Sequence, residues 1–564
     1  MDESPPEVAG DPPAGADGDA ATPAAREVVG LARGGLLNLV GSVISQLVLL
    51  ALTVYLDRTL GRNAAGVYFE AYAFLQLLSL LCLSGFRAGL TRFVAVNLAE
   101  GDRAAMRGVI RLGIGITTPA SLILGAALWA SAGWLSGSAF HEAALAGGLR
   151  LVGVSLPALS LSNAALSATQ GFRTMKPYAL VGLVLEPVLR LSLSVILVAS
   201  GHHVQGALVA LAVSSWVEAL AALVWLKVLM GRSNRGPRPT YQLRRLLSFS
   251  IVSWMASLAS TGLVWADTIL LGILKTGSQV GLYTSSTRVV TLATFVATPI
   301  TASLAPRIAD LYHRRQSEAL RRVYTASTSW IVRLSVPAFV VLLVFPHQTL
   351  RLFFGARFVA GASVTVILSL GSIVDSATGP CGLMLNMSGR ITQSMVDNVG
   401  ALALNIVLNL VLIPRYGIVG SAVAWAIALV VVNAARVLQV RRGMGMLPFD
   451  RSSLKGFAAG VVAAGAGVVV LAGIRGTATL FVGTAVVCVV YVAALLVLGV
   501  SAEDRLILVN LLRRSAPAAT VASPGDDATL RDLNQDPRSI SVAIGLLLTG
   551  GTGATASPRD PMAK

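Results

Sequence analysis

Charge is scarce in this sequence. Only 13% of its 564 residues are Asp, Glu, Lys or Arg, against roughly 25% in a soluble domain. Beside 55% hydrophobic residues, that scarcity excludes a soluble globular chain. Acids are scarcest, with 27 Asp and Glu against 44 Lys and Arg. Cysteine is nearly missing, and Cys82, Cys381 and Cys488 are scattered through apolar stretches. An odd set without spacing offers neither a disulfide framework nor a metal site. No HExxH and no Cys/His cluster occurs, and no GxxxxGK[ST] run points to ATP hydrolysis. No metal or nucleotide cofactor is therefore expected. Long polar stretches between the apolar runs are also lacking. That argues against a membrane-integral glycan-processing enzyme, which needs a larger outer segment for its substrate and carboxylates. The chain is read as no enzyme.

What is present is a series of apolar runs, from Leu36 to Val500. Each is near the length of about 20 residues that crosses a bilayer as a helix. The alternating segments of about 10 residues that mark a transmembrane barrel are not seen. Spans are predicted near 35–56, 67–90, 109–131, 149–169, 178–200, 204–229, 246–272, 282–305, 324–346, 359–385, 394–414, 418–440, 455–474 and 479–500. The fold class expected is an all-α polytopic membrane protein of about fourteen transmembrane helices.

The net charge of +17 invites a nucleic-acid partner, but the bases lie in short connections rather than on one face. They separate into two sets. One holds Arg92, Arg103, Arg107 and Arg111, then Arg173 and Lys176, the cluster from Arg232 to Arg245, Arg307 to Arg322, and Arg441 to Lys455. The other holds only Arg58, Arg62, Lys275, Arg351, Arg357, Arg415 and Arg475. The positive-inside rule puts the first set, and with it both termini, in the cytoplasm. These bases will meet anionic lipid headgroups. Arg over Lys, and an excess of Ala, Gly and Val, point to a GC-rich bacterial genome and so to an inner membrane.

The ends differ in composition. Residues 1–33 are acidic and rich in Pro, Ala and Gly, a composition expected to stay disordered. They lack a signal peptide's basic start and cleavage site, so the first span is expected to remain as an anchor. Residues 501–514 read as an amphipathic surface helix, with Ser501 and Asp504 at its start and Arg513 and Arg514 at its end. Residues 515–564 are polar and expected to stay disordered, since their one apolar run is too short to span.

The middle repeats itself. Gly66-Val67-Tyr68 matches Gly281-Leu282-Tyr283, about 215 residues on. QGALVALA from Gln205 matches VGSAVAWA from Val419 at nearly the same offset, and Gly171 pairs with Gly389. Both copies start on one side, so the repeat is parallel. The expected division is a first lobe of six spans over 34–230, a basic linker over 231–245, a second lobe of six over 246–442, and two additional spans over 443–500. Two pseudo-symmetric lobes of this kind leave a central cleft and work by rocking around it.

With LG…AGVY after the first span, Asp267 followed by LLG and VGLY, ATPITASLAPRI at the end of the eighth span and IPRYGIVGSAVA joining the eleventh and twelfth, the chain resembles the multidrug/oligosaccharidyl-lipid/polysaccharide flippase superfamily. It is most similar to the Wzx-type polysaccharide exporters. The resemblance covers about residues 30–500. It implies a V-shaped pair of six-helix lobes and translocation of an undecaprenyl-pyrophosphate-linked glycan from the inner to the outer leaflet. The two extra spans resemble those of lipid II flippases, where they accommodate the lipid tail. Polysaccharide polymerases and glycosyltransferases are the partners implied.

Charges inside spans are costly, about 2.5–3.5 kcal/mol each on insertion scales, so each wants a partner or a wet cavity. Arg288 and Arg333 have no acid at helical spacing, and guanidinium binds phosphate oxygens bidentately. With Arg190 and Arg87 they are the expected cationic lining of the cleft. For Arg87, snorkelling to the inner headgroups is the competing reading. Glu186 sits one turn before Arg190, the favourable order for an ion pair. Glu186, Glu218, Asp267, Asp375 and Asp397 are candidate coupling-ion or structural acids, with a salt bridge to a neighbouring helix as the structural alternative. Asn405 and Asn409 share a helix face and could meet sugar hydroxyls, though interhelical hydrogen bonding is the commoner role. The first span holds only Asn38 and Gln46 near its centre, which weakens the alternative function of cation-coupled multidrug exporter.

Overall fold

The computed structural model describes residues 23–83, 85–231, 238–474, 476 and 478–499. The side chains of residues 23–33 and of Leu83, Val252, Val296 and Ala302 are not described. The predicted amphipathic helix over 501–514, residues 1–22 and 515–564, and Arg232 and Arg235 of the linker lie outside these residues; residues 23–33, expected to be disordered, are instead the start of a helix. Among the described residues every regular element is helical. The first half comprises α1 (Pro23–Leu83), α2 (Phe86–Ala99), α3 (Arg103–Trp134), α4 (Leu145–Gly171), α5 (Glu186–Leu197, continuing a π-helical stretch Tyr178–Leu185) and α6 (His203–Met230). The second comprises α7 (Leu243–Leu274), α8 (Gly277–Thr294), α9 (Thr298–His313), α10 (Ser317–Val344), α11 (Pro346–Phe354), α12 (Ala362–Thr378), α13 (Cys381–Met387) and α14 (Ile391–Met444). Then come α15 (Arg451–Gly473) and α16 (Ala478–Val497).

Ten of the described helices are long and apolar enough to cross a membrane, or eleven if α8 and α9, bent by 51° at their junction, are one crossing. Three continuous stretches run for 49, 53 and 54 residues. At roughly 1.5 Å per residue each is more than twice the hydrocarbon core of about 30 Å. Each carries non-helical backbone, at Gly61, Gly201 and Gly417 respectively, so each reads as two crossings. Split there, with the bent pair joined, the spans would number fourteen by length and composition. Span 67–90 departs from expectation, since its helix ends at Leu83 and restarts at Phe86.

The duplication extends to the backbone hydrogen bonds. After α2, the amides of Glu100, Gly101, Asp102 and Arg103 donate to the carbonyls of Val96, Leu98, Asn97 and Gly101; after α9, those of Arg314, Arg315, Gln316 and Ser317 donate to Asp310, Tyr312, Leu311 and Arg315. Every bond has its counterpart about 214 residues on. One sequence pairing needs correction. Gly171 is helical and buried, and the left-handed residue matching Gly389 (φ 80°) is Arg173 (φ 59°).

Each half buries its own apolar core, around Leu56, Tyr68, Phe69 and Leu149 in the first and Tyr283, Phe339, Phe358 and Leu368 in the second. The added helices pack on α10 through Val332, Val336, Ala459, Ala463 and Val487. Small residues allow that close approach, which drives helix association where lipid removes the hydrophobic term.

The halves meet at a seam with two-fold character. A Cβ at Gly66 would lie 1.8 Å from the Gly277 carbonyl oxygen, and one at Gly281 would lie 2.4 Å from that of Arg62. Under the repeat offset these are one contact seen from either side. Beyond it, Ser285 Oγ donates to Asp57 Oδ2 at 2.5 Å, and a Cβ at Gly272 would lie 2.9 Å from the Glu70 carboxyl carbon. These are also exchange-related. At the end carrying the denser basic connections, α2 closes on α7. There a Cβ at Gly85 would meet the Ser250 carbonyl at 1.8 Å, and Trp254 Nε1 donates to the Leu80 carbonyl at 3.0 Å.

Candidate functional site

Two cavities lie between these seams, and Tyr72 and Leu49 line both. The first, about 200 Å³, belongs to the first half and is bordered by Arg87, Tyr178, Glu186, Arg190 and Glu218. Arg190 is only 3% exposed. Its Nε lies 3.4 Å from Glu186 Oε1, one helical turn away, and its guanidinium sits 4.9 Å from the centre of the Tyr72 ring. Ser214 Oγ donates to the same Glu186 oxygen at 3.2 Å. Glu218 is buried alongside. Arg87, exposed on the first turn of α2, donates from Nη2 to the Tyr178 hydroxyl at 3.2 Å.

The second cavity, about 320 Å³, is bordered by Tyr72, Trp265, Asp267, Thr287, Arg288 and Trp425. Asp267 is 1% exposed and fully engaged: Tyr283 donates to Oδ2 at 2.6 Å, and Asn405 and Asn409 donate to Oδ1 at 3.0 and 2.7 Å. Hydrogen bonds to the ionised form offset the cost of burying it. Arg288 makes no ion pair and no hydrogen bond with the described residues, and its Nε is buried without a partner. Asp57, Tyr72 and Arg190 act on it electrostatically. Arg190 and Arg288 thus approach each other from opposite halves, with Tyr72 between their cavities.

A third cavity, about 970 Å³, lies at the basic end between α2, α7, α13 and α14, with Ser253, Ser257, Ser260, Asn386 and Asn398 on its walls. Arg92 sits 4.6 Å above Phe249 there, and Arg245 5.4 Å above Phe93.

Four expectations change. Arg333 lies outside both central cavities; it donates to Ser452 Oγ of α15 and packs beside Gly456 and Tyr491. One polar partner is therefore on an added helix. Asn405 and Asn409 are wholly buried and give their amide N–H groups to Asp267, so the sugar-contact reading yields to interhelical bonding. The partners of Asp267 are neutral, and it forms no salt bridge among the described residues. Asp375 and Asp397 likewise take amide donors, Asn433 at 2.8 Å and Gln439 at 2.7 Å, and neither lines the two central cavities.

Three residues escaped the sequence reading. Glu70 was legible as an acid just inside the edge of its span. Asp57 falls one position beyond a span and reads as a loop acid until the seam buries it. Tyr72 carries no sequence signal, since an aromatic in an apolar run is ordinarily core.

The polysaccharide biosynthesis protein family model matches residues 31–312, half of the chain, and the MatE family model matches residues 253–411. Among curated relatives, the probable low-salt glycan biosynthesis flippase Agl15 of Haloferax volcanii is 28% identical over 198 residues, 34% of this chain and 41% of that protein. The match thus spans about two fifths of that relative's length. In fold, the chain is similar to the lipid II flippase MurJ in an inward closed conformation, with a TM-score of 0.67 and 13% identity over 85% of this chain and 100% of that one. It is also similar to an inward-facing multidrug resistance MATE family transporter, with a TM-score of 0.59 and 18% identity over 73% and 98% of the two chains. The two-lobed fold is shared with both. The chain is a multi-pass membrane protein and belongs to the polysaccharide biosynthesis protein family, within the multidrug/oligosaccharidyl-lipid/polysaccharide superfamily.

Proposed function

We propose that this protein is a flippase that carries a lipid-diphosphate-linked oligosaccharide across the cytoplasmic membrane of a bacterium by alternating access, for cell-surface polysaccharide assembly. The observation that carries the reading is the pair Arg190 and Arg288. They come from opposite halves of a duplicated bundle and border adjoining cavities, and Arg288 has no counter-charge bonded to it. A diphosphate crossing hydrocarbon needs such cations, and guanidinium forks match its oxygens. Family membership and the names of the relatives support the glycan class. The protein acts as a transporter and not as an enzyme.

The headgroup enters at the basic end. There the third cavity offers hydroxyl and amide groups for sugars and two arginines for phosphate. Both termini and the basic connections face the cytoplasm, as the charge asymmetry supports. Opening and closing alternate between the Gly66–Gly277 seam and the Gly85–Ser250 seam. Polymerases and glycosyltransferases of the same assembly line are the partners. A coupling Na⁺ or H⁺ would be held at Asp267. The Oδ1 atoms of Asn405 and Asn409 are buried beside it without partners, and hard cations take such oxygens.

The test is reconstitution of the full chain in vesicles with a fluorescently tagged undecaprenyl-diphosphate disaccharide, reading quencher access to the inner leaflet over time. Transbilayer exchange that requires the protein is expected. Absence of exchange, with uptake of a lipophilic cationic dye in the same vesicles, would transfer the protein to the drug-exporter reading.

A further inference from the structure

Tyr72 has no part in the mechanism so far, yet its position is unusual. It is one of the few residues lining both central cavities. Arg190 lies over its ring at 4.9 Å. Arg288 borders the second cavity, which Tyr72 also lines, and lies near enough to Arg190 for the two like charges to act on each other. The ring meets Trp265 of α7 edge-on at 5.4 Å, so it also bridges the two halves. Its hydroxyl accepts from Gln76 Nε2 at 2.5 Å, one turn along the same helix. It is half-buried, not locked in a core.

Two guanidiniums in adjoining cavities repel, and an aromatic ring that lines both cavities, with its electron-rich face toward one of them, lowers that cost. With the ring in place the first cavity offers Arg190, with the exposed Arg87 at its border, and the second offers Arg288. A diphosphate has two phosphate groups. For these to reach Arg190 and Arg288 at once, the ring has to leave the partition. We propose that Tyr72 is a movable partition that determines the preference for a diphosphate over a monophosphate. With the ring in place Arg190 and Arg288 are held in separate cavities; with the ring displaced they converge on the two phosphates of one headgroup. Tyr72 is then a specificity-determining residue that acts by positioning the arginines. The inference rests on the flippase reading for its substrate class, and deepens it.

The probes are farnesyl diphosphate and farnesyl monophosphate, bound to the full-length protein in lipid nanodiscs. The parent protein is expected to prefer the diphosphate by about tenfold, the worth of one added charge-assisted contact. Arg190→Ala or Arg288→Ala should erase that preference. Tyr72→Ala, which removes the partition, should tighten the diphosphate several-fold and leave the monophosphate unchanged. Tyr72→Phe keeps the ring, frees it from Gln76 and should fall between, which guards against a folding defect in the alanine variant. A Tyr72→Ala protein that binds both ligands as the parent does, or loses both alike, overturns the partition. So does a diphosphate preference that survives loss of either arginine. Vesicle exchange of the tagged lipid with no diphosphate preference in the parent would reject the partition and leave the flippase standing. A preference that follows this pattern without exchange would do the reverse.

Discussion

In the first half, the buried arginine has a partner: Glu186 lies 3.4 Å from Arg190, one turn away. In the second half the arrangement is inverted. The acid, Asp267, is saturated by Tyr283, Asn405 and Asn409, and Arg288 is left without an ion pair. The backbone turns after α2 and α9 remain bond-for-bond alike. Duplication has preserved the frame while the polar interiors diverged. A paired arginine steadies its own helix, whereas an unpaired one holds an unspent charge for an incoming anion. The contrast suggests that the two halves contribute unequally, the first anchoring its guanidinium and the second offering one.

The seam gives the sharpest way to break this symmetry. Gly66→Val would drive a side chain into the Gly277 carbonyl, which leaves room for no Cβ. Transport should be lost by more than an order of magnitude, with cysteine pairs across the seam failing to cross-link. Gly281→Val, the exchange-related change, meets Arg62 at a longer 2.4 Å and should show the same defect more weakly. Next in size is Arg190→Ala, which strands the largely buried Glu186 carboxylate. Breaking one partner of a buried pair costs about 3–5 kcal/mol, and a large fall in thermal stability is expected. Arg288→Ala, with no bonded partner to strand, should leave stability near that of the parent. Equal stability losses in the two would remove the contrast between the halves. Asn405→Ala or Asn409→Ala withdraws one hydrogen bond from a buried carboxylate, about 1.5–3 kcal/mol. The effect should appear as reduced stability and weakened dependence on a cation, with selectivity among glycans intact. A change of glycan selectivity would restore these residues to the sugar site.

The sequence made the frame legible for physical reasons. Apolar runs of bilayer length, basic connections on one side and a repeated GVY/GLY pair are each imposed by the membrane, so they survive in one dimension. The Gly379-Pro380 pair, which no helix carries through easily, lies between α12 and α13. The site was only partly legible. Glu186 and Arg190 could be paired because a helix brings positions four apart together. Asp267 could not be matched with Asn405 and Asn409, because their meeting depends on how α7 packs against α14. Arg333 misled for the same reason: its partner Ser452 lies on an added helix, remote in sequence. Tyr72 and Asp57 acquire their roles only when the two halves close on each other.

The most direct measurement compares Arg288→Ala with Arg333→Ala in vesicle exchange of the tagged undecaprenyl-diphosphate disaccharide, at matched protein levels. Arg288→Ala should lose about tenfold or more of the rate, as expected for a lost charge-assisted phosphate contact, while Arg333→Ala stays close to the parent. Parental exchange in Arg288→Ala, or equal losses in both variants, would contradict a central site built from Arg288 and its counterpart Arg190.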